Sequence, residues 1–376
     1  MKRKCKNVHI DNLKFIENAI QDCISHKTEK KLRHRGYYEL IDKYGDDHGI
    51  ALELQKEIRE HNLILPPVKY VDIIDSGNGK QRTLMIEHIK QQFCDYIAYH
   101  GLSELYSRFG EYQINVCEHG SPLMAMKYVQ GWMKDKNIRY VAQLDIKKCY
   151  PSITHENMMD WLKKRVKNDD LLWLIDQLLS TCAIGLPIGS RLSINLCALY
   201  LSDIYHHIEH NYFIYRKGKK NHIVKHFLFY LDDVFLLGSN ARQLTKVVND
   251  MINLYKTKGL TIKPDWKMIC LKRNGNDTHI DILGYKVYHN RVTMRRRNYL
   301  KLKKAIRNCK RHPKNVRYAR TLISLYGMFV KFTNSHKFVQ KYNANKYYER
   351  ARKVVSNYDS KSTVFKKTET SYCYAC

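Results

Sequence analysis

Long apolar runs are absent from this 376-residue chain, and nothing in it approaches the roughly 18–20 uncharged residues that cross a bilayer. No membrane-spanning helix is therefore expected. Turn formers are also scarce, with 7 Pro and 17 Gly, which argues against a linker-rich or low-complexity chain, and no internal repeat is visible. The 11 cysteines are scattered, and a chain of this length folds without staples. They read as reduced thiols of a cytoplasmic protein. Cys373 and Cys376 form a lone Cys-x-x-Cys with no second pair of matching spacing, so no zinc knuckle is expected. The basic start Met1-Lys-Arg-Lys-Cys-Lys6 is followed by no apolar stretch, which argues against secretion. The shortage with most consequence is that of acids: 36 Asp and Glu face 66 Lys and Arg, a net charge of +30.

A chain so basic calls for a polyanion, and nucleic acid is the leading class because cationic surfaces recruit phosphates by releasing counterions. A membrane surface is the weaker alternative, since no long amphipathic basic helix stands apart. The hydrophobic fraction of 44% supplies a sizeable core, and the length points to two or three subdomains. The imbalance peaks late. Between Asp281 and Glu349 there are 18 Lys or Arg and no acid, while Leu300, Leu302, Ile306, Leu322, Leu325, Phe329 and Phe332 recur at helical spacing. That region reads as a basic helical bundle facing a nucleic-acid backbone.

Apolar spacing predicts helices over Ile10–Ser25 and Gly49–Glu60, ended by Pro66-Pro67. Two extended stretches flank the polar turn Ser76-Gly-Asn-Gly-Lys80, and a helix is expected from His88 to about His100. Tyr140–Asp145 reads as a buried strand, followed by helices at His155–Val166, Leu171–Thr181 and Leu192–His210. Strands are expected at Phe213–Arg216 and Val224–Tyr230, joined across Lys-Gly-Lys-Lys, and again at Val234–Leu237. A helix over Ala241–Lys258 precedes strands at Thr261–Leu271, Ile280–Tyr288 and Val292–Met294. Strands and helices mix without strict alternation, so the expected class is α+β with an antiparallel sheet.

The segment Phe227-Leu-Phe-Tyr-Leu-Asp232-Asp233-Val-Phe-Leu-Leu237 places two adjacent carboxylates between two apolar runs, at the tip of a hairpin. Alone, an Asp-Asp pair is an ordinary turn. Asp145, however, ends another apolar strand ahead of a basic, aromatic segment. Carboxylates at two strand ends in a basic protein suit divalent cations, which favour a few acids plus substrate phosphates and serve in-line phosphoryl transfer. Between them, Ile184-Gly-Leu-Pro-Ile-Gly-Ser190 is a Gly/Pro loop feeding a helix that Ser190 would cap.

The ordered set Asp145-Ile-x-x-x-Tyr150, Gly185-Leu-Pro-Ile-Gly189, Tyr230-x-Asp232-Asp233 and Leu283-Gly-Tyr285 resembles the palm of reverse transcriptases. The resemblance extends from Gly79-Lys-Gln-Arg82-Thr to the basic segment after Met294. It implies a right-hand polymerase: fingers and palm over 66–294 (the palm an antiparallel sheet plus helices), a basic helical thumb over 295–345, an N-terminal helical extension over 1–65 and a tail over 346–376. It implies that Asp145, Asp232 and Asp233 are catalytic and, with Ile146, hold two Mg²⁺ ions, Mn²⁺ being the alternative. Lys80 and Arg82 would hold the triphosphate. Ile146, Pro187, Ile188 and Gly189 would contact the incoming dNTP, and Tyr150 would sit under its sugar and exclude a ribose 2′ hydroxyl. Lys267 would protonate pyrophosphate. Arg295, Arg296, Arg297, Lys301 and Lys304 would bind nucleic acid. The implied partners are an RNA template, a DNA or RNA primer and dNTPs, with an accessory protein or structured non-coding RNA also admissible and no membrane.

Ile188-Gly-Ser-Arg-Leu-Ser193-Ile194 resembles the enzymes of diversity-generating retroelements except that Ile194 replaces their final Gln. Bacterial anti-phage defence reverse transcriptases of the abortive-infection kind are the alternative, and a non-catalytic RNA-binding protein with a polymerase fold is the alternative of another class. An RNA-dependent RNA polymerase is a further palm enzyme, which Tyr150 argues against. Asn115-Val-Cys-Glu-His-Gly120 is shorter than the template-side motif of those relatives. His206 and His210 lie one helical turn apart with no third ligand evident, and read as a solvated helix end. The 28 tyrosines read mainly as packing residues.

Overall fold

Capping side chains start about half of the described helices. Asn12, Asp46, Thr154, Asn168, Ser190, Asn240 and Asn315 each accept an amide of the first helical turn. The computed structural model describes residues 2–74, 81–114, 121–272 and 278–372, without the side chains of Arg82, Lys331 and those from 359 onward. In chain order the elements are α1 (Leu13–Ser25), α2 (Glu29–His34), α3 (Tyr37–Tyr44), α4 (Asp47–Arg59), β1 (Lys69–Ile74), β2 (Gln81–Ile86), α5 (Ile89–Gly101), a 3₁₀ turn at Ser103–Arg108, β3 (Gln113–Ile114), α6 (Pro122–Trp132) and β4 (Tyr140–Asp145). There follow α7 (Cys149–Ser152), α8 (His155–Lys163), α9 (Asp169–Ser180), α10 (Arg191–Asn211), β5 (Phe213–Arg216), β6 (Lys219–His222), β7 (His226–Tyr230), β8 (Asp233–Gly238), α11 (Ala241–Thr257) and β9 (Lys267–Cys270). The chain ends with β10 (Ile280–Ile282), β11 (Tyr285–Val287), β12 (Val292–Met294), α12 (Arg296–Arg311), α13 (Val316–Phe332), α14 (His336–Tyr342) and α15 (Ala344–Tyr372).

These elements form two compact units, one of Met1–Gly120 with Ala142–Met268, the other of Ser121–Val141 with Ile269–Cys376. The first is organised by a five-stranded sheet of order β3-β7-β8-β4-β9, in which β7 and β8 are an antiparallel hairpin and β3 pairs with β7 in parallel. Val234 to Leu237 are all buried, the continuous apolar run of a strand covered on both faces. Helix α10 is buried on nearly every side, and its Tyr205 ring lies 4.8 Å from Phe227 and 5.6 Å from Phe229 of β7. Gly110 is required there, because a Cβ on it would fall 1.8 Å from the Tyr205 ring.

Asp203, also on α10, is enclosed by donors: Arg108 at 2.9 Å, Trp161 Nε1 at 2.9 Å, Arg165 at 2.9 Å and Lys258 at 2.8 Å. Burial alone would raise its carboxyl, but the bonds from Lys258 and Trp161 and the nearby cations outweigh that and hold it below the ordinary carboxylate range.

The second unit holds the antiparallel sheet β10-β11-β12 and helices α6 and α12 to α15. In α12, Leu302, Ala305, Ile306 and Cys309 are buried at three- and four-residue spacing, and Lys303, Lys304, Arg307 and Lys310 occupy the exposed face.

Three strand expectations need correction. Phe213–Arg216 pairs with Lys219–His222, not with a strand starting at Val224; β7 begins at His226 and enters the larger sheet. Thr261–Leu271 narrows to β9, since Pro264 lacks the amide a ladder needs. Ile280–Tyr288 folds back on itself because Leu283 and Gly284 take positive φ of 52° and 87°. Among the described residues, no helix is long and apolar enough to cross a membrane.

Candidate active site

Strands β4, β7 and β8 bring the three expected aspartates to one end of the large sheet. Tyr230 pairs with Asp233 across the β7–β8 hairpin, and Leu231, at φ 53°, makes the tight turn that presents Asp232. The Ile146 amide donates to the Asp232 carbonyl at 3.1 Å, fastening the end of β4 to that turn. On its other side, Lys147 donates to the Thr261 carbonyl at 2.8 Å and Lys263 to the Asp145 carbonyl at 2.9 Å. Asp145 and Asp233 line one cavity of about 220 Å³ with Lys263, Asp265, Trp266 and Lys267.

The two oxygens of Asp145 differ. Oδ2 accepts from Lys263 Nζ at 2.5 Å, whereas Oδ1 is buried and has no hydrogen-bond partner among the described residues. A bare carboxylate oxygen out of water is an unfavourable arrangement unless something binds it. It is a hard donor beside a second acid, so the residues fit a divalent cation with a preference for oxygen. The three aspartates do not close into a ligand set here, since His206, Glu209 and His210 are the described group whose ligand atoms all lie within 4.8 Å. Asp145 is instead paired with Lys263.

Tyr150 and the Gly/Pro loop meet beside these acids. The Leu186 amide donates to the Tyr150 carbonyl at 3.0 Å, and Gly185, at φ 63°, lies so close that a Cβ would be 2.4 Å from that oxygen. Burial, with Cys197, Cys149 and Asp232 nearby, pushes the Tyr150 phenol far up, so it stays neutral. Pro187 is buried, Ile188 half-buried and Gly189 exposed; Gly189, at φ 114°, faces the Met85 carbonyl of β2. Arg82 lies on β2 opposite Ile73. Lys80, the turn from Ser76 and the segment Asn115–Gly120 lie outside the described residues, as do Cys373 and Cys376.

Lys263, Asp265 and Trp266 were not foreseen. Lys263 carried no sequence signal, since only the pairing of 261–263 beside β4 places it on Asp145. In the second unit, Arg295, Arg296 and Arg297 are exposed at the start of α12, with Arg295 Nε on Asp281 at 2.5 Å. Lys304 lines a groove of about 670 Å³ with Lys303, Arg307, Lys310 and Lys341.

The His206 and His210 reading also changes, because Glu209 stands 3.0 Å from His206 Nδ1 and 3.5 Å from His210 Nε2. His206 Nε2 meets the Arg108 carbonyl at 2.8 Å, so both ring nitrogens face acceptors, and the adjoining cavity is lined by Lys2, Lys4, Arg108 and Arg165. That is a structural tie between α10 and the 3₁₀ turn in a field that repels cations.

The mixed sheet-and-helix fold, with acids at a β-turn of its larger sheet, is consistent with a right-hand polymerase. The family described as "Reverse transcriptase (RNA-dependent DNA polymerase)" matches residues 78–287, which is 210 of the 376 residues. The chain belongs to that family. Enzymes of that family are described as RNA-dependent DNA polymerases, and they use divalent metal ions. A solved telomerase structure from Candida albicans, in complex with a TWJ fragment of telomeric RNA, is similar at 12% identity with a TM-score of 0.44. The likeness covers 79% of this chain and 62% of that one, so this chain spans less than two thirds of the telomerase length. No curated protein matches the sequence.

Proposed function

We propose that the protein extends a primer with dNTPs on an RNA template by two-metal phosphoryl transfer, with Asp145, Asp232 and Asp233 as the catalytic acids. The observation that carries this reading is the bare, buried Oδ1 of Asp145 in a cavity shared with Asp233, fastened by Ile146 to the Asp232 turn. Asp145, Asp232, Asp233 and the Ile146 carbonyl would hold two Mg²⁺ ions, with Mn²⁺ as substitute. Ions held by these residues would supply activation of a primer 3′ hydroxyl and charge neutralisation for the leaving pyrophosphate. Tyr150 would lie under the sugar, where its ring would clash with a ribose 2′ hydroxyl and so favour a deoxyribose. Pro187, Ile188 and Gly189 touch the nascent pair, and Lys80 and Arg82 hold the triphosphate. Lys267 or Lys263 gives the pyrophosphate its proton; both line the cavity. Residues 66–294 serve as fingers and palm, and 295–345 as a thumb whose Arg295, Arg296, Arg297, Lys301 and Lys304 follow the nucleic-acid backbone.

The segment Ile188-Gly-Ser-Arg-Leu-Ser193 favours a role in a diversity-generating retroelement, and Ile194 in place of Gln favours the second reading, a bacterial anti-phage defence enzyme. The test is primer extension with Mg²⁺ on a primed RNA template, each nucleotide set in turn, beside Asp232→Asn. Incorporation of dNTPs by the wild type, absent in Asp232→Asn, is expected. Preferred use of ribonucleotides, or no incorporation with RNA still bound, overturns the reading; the latter leaves an RNA-binding protein with a polymerase fold. Sequenced products separate the two roles, since errors concentrated at template adenines mark the retroelement enzyme.

A further inference from the structure

The loop that carries Pro187, Ile188 and Gly189 runs from Thr181, at the end of α9, to Arg191, at the start of α10. Both of its ends are tied to a single helix, α5. Gln91 Nε2 donates to Thr181 Oγ1 at 2.9 Å. Ser190 Oγ donates to Asp95 Oδ2 at 2.5 Å while accepting the Ser193 amide as the α10 cap. Arg191 Nη2 donates to the Tyr99 hydroxyl at 3.3 Å, its guanidinium 4.9 Å from the Tyr99 ring centre. Gln91, Asp95 and Tyr99 are four residues apart, so they form one stripe along one face of the helix.

We propose that this stripe is a clamp, in which Gln91, Asp95 and Tyr99 act as positioning residues that fix the loop against the nascent base pair and so set nucleotide affinity and selectivity. The inference rests on the reading that Pro187 to Gly189 touch the incoming nucleotide. Three features favour a clamp over ordinary packing. Gln91, Asp95 and Ser190 are almost wholly buried, at 0%, 3% and 2% exposure, so their bonds are not shared with solvent. Helix α5 is itself buried on nearly all sides, which makes it a rigid base. Between the clamped ends, one further backbone bond, Leu186 to Tyr150, ties the loop to the sugar-facing residue. A loop held at both ends and once in the middle keeps Ile188 and Gly189 at one height above the site, and small displacements there act directly on KM for the nucleotide.

The experiment uses the full chain and single-nucleotide incorporation on a primed RNA template, with correct and mispaired dNTPs and thermal melts in parallel. Thr181→Val is isosteric and removes the acceptor of Gln91. Asp95→Leu removes the acceptor of Ser190 while keeping the number and branching of heavy atoms, and Asp95→Asn still accepts. Thr181→Val and Asp95→Leu should each raise KM for the correct dNTP and the mispairing frequency about five- to tenfold, with kcat nearly unchanged, and Asp95→Asn should restore most of the loss. If Asp95→Leu does not fold, Thr181→Val carries the test alone. Unchanged KM and mispairing in the folded variants, or a fall in kcat that only follows a lower melting temperature, overturns the clamp. Ile188→Ala separates the two levels. A shift with Ile188→Ala but none with the clamp variants refutes the clamp alone, whereas no shift with any of them refutes the placement of the loop at the nucleotide.

Discussion

Asp203 and Asp145 are the same residue type in the same unit, and their surroundings have opposite logic. Asp203 receives Arg108, Trp161, Arg165 and Lys258, so its charge is fully consumed in joining α10 to the 3₁₀ turn, α8 and the end of α11. Asp145 has Lys263 on one oxygen and, among the described residues, no hydrogen-bond partner on the other. A carboxylate whose bonds are all satisfied holds a fold together; one left with a bare oxygen beside a second acid in an open cavity can take a ligand. A bare oxygen alone does not mark a chemical acid, since Glu57 and Glu87 also bury one; the cavity that Asp145 shares with Asp233 makes the difference.

That contrast breaks if the two residues exchange effects. Asp145→Asn should lower dNTP incorporation by more than about a thousandfold, since several kcal/mol of charge stabilisation goes with the cation it would hold, while melting temperature stays close to wild type. Single-turnover kinetics beside a thermal melt would check both. Asp203→Ala should destabilise by about 3–5 kcal/mol, read from urea unfolding, because Arg108, Arg165 and Lys258 lose their shared counter-charge. A stable Asp203→Ala protein would show that the network is replaceable.

Titration sharpens the same comparison. The Asp203 carboxyl is held below its ordinary value, so its contribution is present above the ordinary carboxylate range and is lost as pH falls through the depressed folded value. Glu87 and Asp95 run the other way. Burial raises both, so the stability they contribute is full below the unfolded carboxylate range and lost as pH rises through their folded values. Unfolding free energy measured across pH should fall at both ends. Asp203→Asn should flatten the acid limb and Asp95→Asn the upper limb.

The smallest effect belongs to the exposed bases. Replacing Arg295, Arg296 and Arg297 together with Gln should reduce the slope of log affinity against log salt by about 2–3, at up to roughly 0.9 per phosphate contact, with folding unaffected. An unchanged slope would remove these residues from the nucleic-acid path.

Much of the site was legible in the sequence because its logic is local. Asp232 and Asp233 announce a hairpin tip through the apolar runs on either side, and Gly185-Leu-Pro-Ile-Gly189 announces a loop by its turn formers. The hairpin partner of β5 was missed because Lys219-Lys-Asn-His222 has none of the alternation that marks a half-buried strand. Asp203 gave no signal either. It is one of 36 acids, mid-helix, and its four donors come from residues 108, 161, 165 and 258.

The sequence by itself determined the family-bearing order of acids, loop and turn, the excess of positive charge and the helical phase that sends Leu302, Ile306 and Cys309 inward. Each follows from spacing along the chain, which backbone geometry converts directly into faces and turns. Only the tertiary structure decided which acids are satisfied and which are open, that Lys263 sits on Asp145, and that the stripe Gln91, Asp95 and Tyr99 grips the loop from Thr181 to Arg191. Those are questions of which groups meet across the fold, and hydrogen-bond satisfaction depends on distance in space, which spacing in sequence does not specify.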